Sequence, residues 1–326
     1  MNQKKYYPEL DALKGIAILF IILSHSFCEF PIDIRSNLPV FNHFAGSFSL
    51  CLFFICSGFL FRDNISWLVF FKKKGKRLLI PLLFFGYVNV ALRLAMAPFT
   101  RSHMGGVALL YPITGQLYWF LYSLFLIMVL DKALSGLGKF KNFVAIVLLV
   151  MHEFVLWNIT LFTINRTSYF YAFFVLGRLL YQHYENLYAW TVRNKFVLIV
   201  LLLIYCVAFT LAHTVFDWNT MPVIIEKYII PLSACGFLWV LFVLCELQAK
   251  TSLKILHYFG KFSLQYYLNH MLVLLFAFYC GRIVYSYSNS YVLSLLSIFG
   301  LAVMLCFVML RIEQRLPQKT KILFGL

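Results

Sequence analysis

The chain has 326 residues, of which 62% are hydrophobic and only 12% charged, and its formal net charge is +16. A soluble globular chain carries roughly 25% charged residues, so the composition excludes an ordinary soluble domain and indicates a polytopic membrane protein. The positive charges are spread over short segments between apolar runs, and this distribution excludes a nucleic-acid-binding surface. The runs show none of the alternation of barrel strands, which leaves helices as the spanning elements.

Apolar runs of about 20 residues, long enough to cross a bilayer core of about 30 Å, recur along the whole chain. We therefore predict an all-α integral membrane protein with ten transmembrane helices. Residues 1–326 form a single membrane domain in this prediction, since no segment is long and polar enough for a soluble one. The predicted helices lie near residues 10–29, 45–62, 79–97, 115–131, 143–161, 168–184, 196–213, 225–246, 262–280 and 291–311.

The lysines and arginines orient this arrangement in the membrane. With ten helices, 21 of the 28 basic residues lie on the side shared by the two termini, 6 lie on the other side, and Lys14 lies inside a helix. Cytoplasmic loops of membrane proteins carry the excess of lysine and arginine. The charge distribution therefore predicts that both termini are cytoplasmic.

The first predicted helix carries ionisable side chains on one face. Lys14 and His25 are eleven residues apart, which is about three turns plus 20°, so they share a face about 16 Å apart. Asp11 lies on the same stripe, and Glu29 follows His25 at i+4. Ionisable groups inside a membrane are costly and indicate function. Two purely structural alternatives stay open. Lys14 could extend its ammonium group to the membrane surface while paired with Asp11, and His25 could be a buried histidine that forms a hydrogen bond to a neighbouring helix.

Further along the chain, the densest charge cluster contains Lys73 and Arg77, which precede the third predicted helix. This cluster could bind phosphate groups or could anchor the chain to anionic lipid. Ser57, before Gly58, could open a cavity or permit close helix packing. Tyr267 and His270 share one helix face, which could line a substrate cavity or bond to other helices.

Metal chemistry is not expected. The eight cysteines fall within apolar runs and form no C-x-x-C pair, and His152-Glu153 lacks the spacing of a metalloprotease helix. The sequence also lacks a P-loop and a dinucleotide fingerprint. We therefore predict no metal and no nucleotide-binding motif of these kinds.

The first helix resembles the opening of the membrane acyltransferase-3 family. The chain reads L-D-A-L-K-G-I-A at residues 10–17, where the family has L-D-x-L-R-G-I-A, and His25 follows at the family's spacing. Lys14 replaces the commoner arginine, which weakens bidentate phosphate binding there. The other segments that resemble family motifs are F-F-I-C-S-G-F-L at 53–60, R-L-L-I-P at 77–81, W-F-L at 119–121 and G-K-F-S-L-Q-Y-Y-L-N-H at 260–270.

This resemblance implies a stand-alone O-acyltransferase of the inner (plasma) membrane. The implied donor is cytoplasmic acyl-CoA, commonly acetyl-CoA, and the implied acceptor is a hydroxyl of a cell-surface glycan or of a lipid-linked saccharide. His25 is then the catalytic base or an acyl carrier, and Glu29 holds its imidazole. The remaining predicted roles are donor binding by Lys14, Ser57, Lys73 and Arg77, and acceptor binding by Trp119, Tyr267 and His270.

Two other functions compete with this interpretation. A transporter or flippase for a lipid-linked sugar could use the intramembrane histidine, lysine and glutamate for proton coupling. Transporter folds often contain two related halves with interrupted helices, and the sequence shows no such internal repeat. An inactive membrane scaffold, in which the stripe on the first helix is only structural pairing, is the second competitor.

Overall fold

The computed structural model describes residues 5–27, 32–96, 108–215, 222–248 and 253–326. These residues form helices and connecting loops, with no β-strand among them. In chain order the α-helices are α1 (Pro8–Ser26), α2 (Ile34–Asn37), α3 (Pro39–Gly46), α4 (Ser49–Leu60), α5 (Trp67–Lys74), α6 (Ile80–Met96), α7 (Tyr111–Thr114), α8 (Trp119–Ala133), α9 (Phe140–Phe154), α10 (Ile164–Gln182), α11 (Tyr184–Arg193), α12 (Val197–Thr214), α13 (Ile230–Gln248), α14 (Lys254–Lys261), α15 (Ser263–Ser288), α16 (Tyr291–Arg315) and α17 (Gln318–Lys321).

The all-helical class is confirmed, and a helix lies at each of the ten predicted places. Seven helical stretches within the described part of the chain are long and apolar enough to cross a membrane. The ten-helix count and the side of the termini stay predictions. The seven stretches are Pro39–Leu60, Trp67–Ala95, Ala108–Leu137, Val197–Thr214, Ile225–Leu247, Ser263–Ser288 and Tyr291–Arg315.

The three predicted spans outside this set are α1, α9 and α10, and each has a physical reason. α1 carries Glu9, Asp11 and Lys14 in its first two turns. α9 has 15 residues, about 22 Å of helix, which is shorter than a bilayer core. α10 is 19 residues long but contains both Arg166 and Arg178. Charge or length, rather than a lack of helix, therefore separates these three from the rest.

The structure also contains helices that the sequence analysis did not predict. α5 precedes the predicted third span and runs through a π-helical turn, Gly75–Leu79, directly into α6. Its start is set by Ser66, whose hydroxyl accepts a hydrogen bond from the Val69 amide at 3.5 Å. α11 and α14 are short amphipathic helices between longer apolar ones. A search for membrane spans does not find these helices, because they contain few apolar residues.

The contacts within the chain define two compact units. Unit 1 consists of Met1–Cys56, Leu179–Ser263 and Ala277–Val303. Unit 2 consists of Ser57–Arg178, Leu264–Phe276 and Met304–Leu326. A single membrane domain over residues 1–326 stays a prediction.

In unit 1, α14 packs against the first half of α1 with almost no space between the two backbones. A Cβ atom on Gly15 would collide with the carbonyl oxygen of Leu256, and one on Gly260 would collide with the carbonyl oxygen of Asp11. Each helix therefore presents a glycine to the other helix's backbone. This close approach fixes the face of α1 that carries the predicted stripe.

In unit 2, a buried group of charges ties the loop before α5 to α8 and α10. The Arg178 guanidinium contacts both the Asp131 carboxylate and, at 3.1 Å, Asp63 Oδ2. Lys132 Nζ donates to the backbone carbonyls of Asp63 and Ile65 at 2.9 and 2.6 Å. Asp131 is fully buried, so its charge depends on these partners. The group holds in place the loop that leads into the basic cluster.

Candidate active site

The predicted stripe is present on α1 of unit 1. Pro8 at the first helical turn and the acids Glu9 and Asp11 suit a helix N-terminus, and His25 lies in the last turn. Lys14 Nζ pairs with Asp11 Oδ1 at 2.7 Å, and the Tyr6 hydroxyl donates to Asp11 Oδ2 at 2.9 Å. The pairing of Lys14 with Asp11 that the sequence left open as an alternative is therefore observed.

His25 stands at the far end of α1 and is exposed there. Arg35 Nη2 donates to the carbonyl of Phe27 at 3.5 Å, which places a cation beside the end of this helix. α3 packs against the same end, since the Phe20 ring lies 5.5 Å from Phe44 and 4.9 Å from Phe48. Glu29, the predicted partner of the imidazole, lies outside the described residues, and its role stays a prediction.

Ser57 opens unit 2 on α4, next to Gly58. A Cβ atom on Gly58 would collide with the carbonyl oxygen of Phe174 on α10. Close helix packing, which the sequence analysis kept as an alternative, is therefore observed for Gly58. The half-buried Ser57 is carried by the same tightly packed turn.

Lys73 and Arg77 lie on the continuous helix formed by α5, the π-helical turn and α6. Both residues are exposed, and neither forms an ion pair with any residue that the structure describes. Lys73 ends α5 with its lysine neighbours, while Arg77 lies in the π-helical turn. π-helical turns are rare and often occur at functional sites. Exposed, unpaired cations of this kind can bind an anion.

The charge of Asp63, paired with Arg178, holds the loop that leads to this basic helix. Burial alone would raise the pKa of the Asp63 carboxyl, but the hydrogen bond and charge of Arg178 hold that pKa below its ordinary value. A carboxyl with a lowered pKa in the folded state stabilises the fold above its unfolded pKa. This stability is lost as the pH falls through the folded pKa.

We expect Asp63→Asn to lower the melting temperature at neutral pH and to weaken its fall on acidification. The reason is that asparagine keeps the shape but removes the charge that Arg178 stabilises. Thermal unfolding of purified protein between about pH 7 and pH 2 measures both effects, because the contribution of Asp63 is lost below about pH 4. Glu185→Gln is the control, because Glu185 forms an exposed ion pair with Lys5, and such pairs contribute little. Superimposable pH profiles for Asp63→Asn and wild type would refute the role of this charge.

Trp119, predicted to bind the acceptor, contacts a cation and an aromatic ring of α10. The Arg166 guanidinium lies 4.0 Å from the centre of the Trp119 ring, and the Phe170 ring stacks at 5.8 Å. The indole ring holds the Arg166 guanidinium by a cation–π contact, and acceptor binding by Trp119 stays a prediction.

Tyr267 and His270 are brought together in a buried aromatic cluster on α15. Their rings lie 5.3 Å apart, and the Tyr267 ring lies 6.0 Å from Tyr118 and 5.1 Å from Phe120. His270 Nδ1 contacts the carbonyl of Tyr267 in its own helix. Phe120 follows Trp119 in α8, so all three predicted acceptor residues lie in or beside this cluster.

The sequence analysis missed several charged or polar partners in unit 2. Arg166 was assigned only to a loop, and the buried Asp131 and Glu313 were not considered. An acidic residue at the end of a long apolar run was the available signal for both acids. The bond from Arg93 Nε to Asn89 Oδ1, at 2.7 Å, was hidden because a neutral asparagine gives no such signal.

Comparison with known proteins adds one finding to this geometry. A family model described as an acyltransferase domain, that of acyltransferase-3, matches residues 7–311. The chain belongs to the acyltransferase-3 family. The same comparisons found no matching curated protein and no matching solved structure.

The family match confirms the resemblance seen in the sequence motifs. It begins just before α1 and ends within the last turns of α16, so it contains every predicted site residue. The chain is therefore a membrane acyltransferase.

Proposed function

We propose that this acyltransferase moves an acetyl group from cytoplasmic acetyl-CoA to a hydroxyl of a cell-surface glycan or lipid-linked saccharide in the inner (plasma) membrane. The observation that carries the proposal is the family match, which includes the α1 stripe of Lys14 and His25. His25 is exposed at the end of a helix whose other end is charged and predicted to be cytoplasmic. The proposed donor enters from that end.

In the direct route, the His25 imidazole takes the proton of the acceptor hydroxyl. The oxygen attacks the thioester carbonyl, the carbon–sulfur bond breaks, and the departing CoA thiolate receives the proton. In the covalent route, an imidazole nitrogen attacks the thioester first and forms acyl-histidine while CoA leaves. The acceptor hydroxyl then takes the acyl group and regenerates His25. Both routes yield an ester and free CoA.

For donor binding, we assign the CoA phosphates to Arg77 and Lys73. Both are exposed cations without an ion-pair partner among the described residues. An arginine can bind phosphate through two parallel hydrogen bonds, whereas a lysine acts as a point charge. Lys14 is already paired with Asp11, so its proposed contribution is a positive charge along the donor's path. Ser57 is proposed to contact the donor.

For acceptor binding, we assign the aromatic cluster of Tyr267 and His270, with Trp119 supporting Arg166. The Arg166 side chain is exposed and forms no ion pair with a described residue. It can therefore donate hydrogen bonds to an acceptor. In this assignment the acceptor is recognised in part through the arginine that Trp119 supports.

Arg77→Ala is expected to raise the apparent KM for acetyl-CoA about tenfold with a smaller change in kcat. The loss of a charge-assisted hydrogen bond to phosphate costs about 1.5–3 kcal/mol when the bond is fully formed. Initial rates against acetyl-CoA concentration measure this effect. Lys139→Ala, which removes an exposed lysine of the same unit, is the control. An unchanged KM for Arg77→Ala would exclude Arg77 from donor binding.

The test of the proposed function uses purified protein in lipid nanodiscs. Free CoA release from acetyl-CoA is followed with and without an acceptor-containing membrane extract. Release that depends on the protein supports the enzyme. Binding of acetyl-CoA is measured separately as a rise in melting temperature. Neither release nor binding, with acetyl-CoA and with longer acyl-CoA, would refute the proposal and favour the transporter or flippase.

A further inference from the structure

A buried carboxyl in unit 2 pairs with a neutral amide rather than with a cation. Glu313 lies near the end of α16 and is 3% exposed, and Asn269 on α15 is fully buried. Asn269 Nδ2 donates to Glu313 Oε1 at 2.7 Å. No lysine, arginine or histidine within the described ranges forms an ion pair with Glu313. An ionised carboxylate that is buried without a cation is strongly disfavoured.

The remaining oxygen of each side chain also lacks a hydrogen-bond donor in the described part of the chain. Asn269 Oδ1 and Glu313 Oε2 are both buried, and neither has a hydrogen-bond partner among the described residues. Both are acceptors when Glu313 is ionised, so neither can satisfy the other. A buried acceptor that lacks a donor costs free energy. The pair as an amide and a carboxylate therefore leaves one oxygen of each group unsatisfied.

A single proton on Glu313 would give both of these oxygens a hydrogen-bond partner. A protonated glutamate carries one O–H donor, and a proton on Oε2 can be donated to Asn269 Oδ1. The amide and the acid are then joined by two hydrogen bonds, one from each side chain, and no charge is buried. We propose that Glu313 is a proton-binding site, occupied at neutral pH, in which the carboxylic acid and the Asn269 amide form a doubly hydrogen-bonded pair.

The groups near this pair on α15 and α16 form no ion pair with Glu313 within the part of the chain that the structure describes. On α16, the Cys306 thiol lies two turns before Glu313 and is fully buried. On α15, Tyr266 and His270 flank Asn269, and Gln265 donates to the carbonyls of Phe324 and Gly325 at 3.2 and 3.3 Å. The basic residues nearest in sequence, Arg311 and Arg315 on α16 and Lys319 and Lys321 beyond it, form no ion pair with Glu313.

Occupancy of this site by a proton links α15 to α16 in a reversible way. Loss of the proton would leave two acceptor oxygens without a donor and one buried negative charge, so the link between these helices would weaken. The stability that the proton provides is present at acid pH and is lost as the pH rises through the titration of Glu313. This property does not depend on the proposed acyl transfer.

Infrared difference spectroscopy on purified protein tests the proton directly. We expect a carbonyl band of a protonated carboxylic acid in the wild type at neutral pH that is absent from Glu313→Gln. The band should disappear from the wild type at high pH. A neutral-pH spectrum in which Glu313→Gln removes only carboxylate bands would overturn the proposal.

Thermal unfolding of the same two proteins gives a second, independent test. Glutamine keeps the neutral pair, because its amide can donate to Asn269 Oδ1 and its carbonyl can accept from Asn269 Nδ2. Glu313→Gln is therefore expected to match the wild-type melting temperature at neutral pH and to fall less than wild type at high pH. Glu313→Ala should be less stable than both. Failure of Glu313→Gln to fold, or identical pH profiles, would overturn the proposal, since either result requires a charged or irrelevant Glu313.

Discussion

His25→Ala is expected to reduce the rate of acyl transfer at least a hundredfold while the protein remains folded. General acid–base catalysis by a positioned side chain contributes about 10²–10⁴ to the rate, and removal of a nucleophile costs more. His25 lies in the last turn of α1, and the melting temperature of the variant separates a loss of packing from a loss of chemistry. Release of CoA from acetyl-CoA in the presence of acceptor measures the change.

The control for this variant is His183→Ala, which removes an exposed histidine between α10 and α11. Both variants should match the wild-type melting temperature, and only His25→Ala should lose activity. Labelled acetyl-CoA without acceptor separates the two routes: label on the wild-type protein but not on His25→Ala supports acyl-histidine, and no label on either supports a base. Wild-type activity in His25→Ala would remove His25 from the mechanism.

Gly15→Ala is expected to destabilise unit 1 strongly although it adds a single methyl group. Its Cβ would collide with the carbonyl oxygen of Leu256, which belongs to the backbone of α14 and is not free to rotate away. α1 and α14 must therefore separate, and overpacking of this kind costs about 1–3 kcal/mol or more. A melting temperature several degrees below wild type, measured on purified protein, is the expected result.

Gly300→Ala is the matched control, because Gly300 lies inside α16 and nothing lies within 4 Å of the position of an added Cβ. Alanine is about 1 kcal/mol better than glycine in a helix interior, so this variant should be at least as stable as wild type. Opposite signs for the two substitutions would show that backbone contact, and not the loss of glycine, decides the outcome. Equal effects would contradict the close approach of α1 and α14.

The sequence predicts the helical class and the location of the long helices because twenty-residue apolar runs leave few alternatives. The stripe on α1 is equally predictable, since helical periodicity alone places Lys14, Asp11 and His25 on one face. The choice between partners is harder: Lys14 pairs with Asp11 at i+3, an arrangement the sequence allowed but did not require. Local spacing predicts which groups can meet, and packing decides which do.

Contacts between distant parts of the chain could not be predicted from the sequence. The gap between Asn269 and Glu313 is 44 residues, and that between Asp131 and Arg178 is 47. Nothing in either local pattern specifies the pairing. The ring contacts of Trp119 could not be predicted for the same reason, because Arg166 and Phe170 come from another helix. Motif residues could thus be named in advance, while their contacts required the fold.

The π-helical turn before α6 has a consequence for insertions and deletions. The Ile80 amide donates to the Gly75 carbonyl five residues back, and the same pattern joins Ile230 to Ile225 before α13. In both places a proline follows at the next position, where it offers no amide to a regular helix. Each such turn holds one more residue than an α-helix would. Deleting one residue between Gly75 and Leu79 would therefore keep the helix and nearly all its charge. It would also keep Lys73 and its lysine neighbours on nearly the same side relative to α6, whereas deleting one residue from a regular α-helical stretch would rotate the residues on either side of it by about 100° relative to each other.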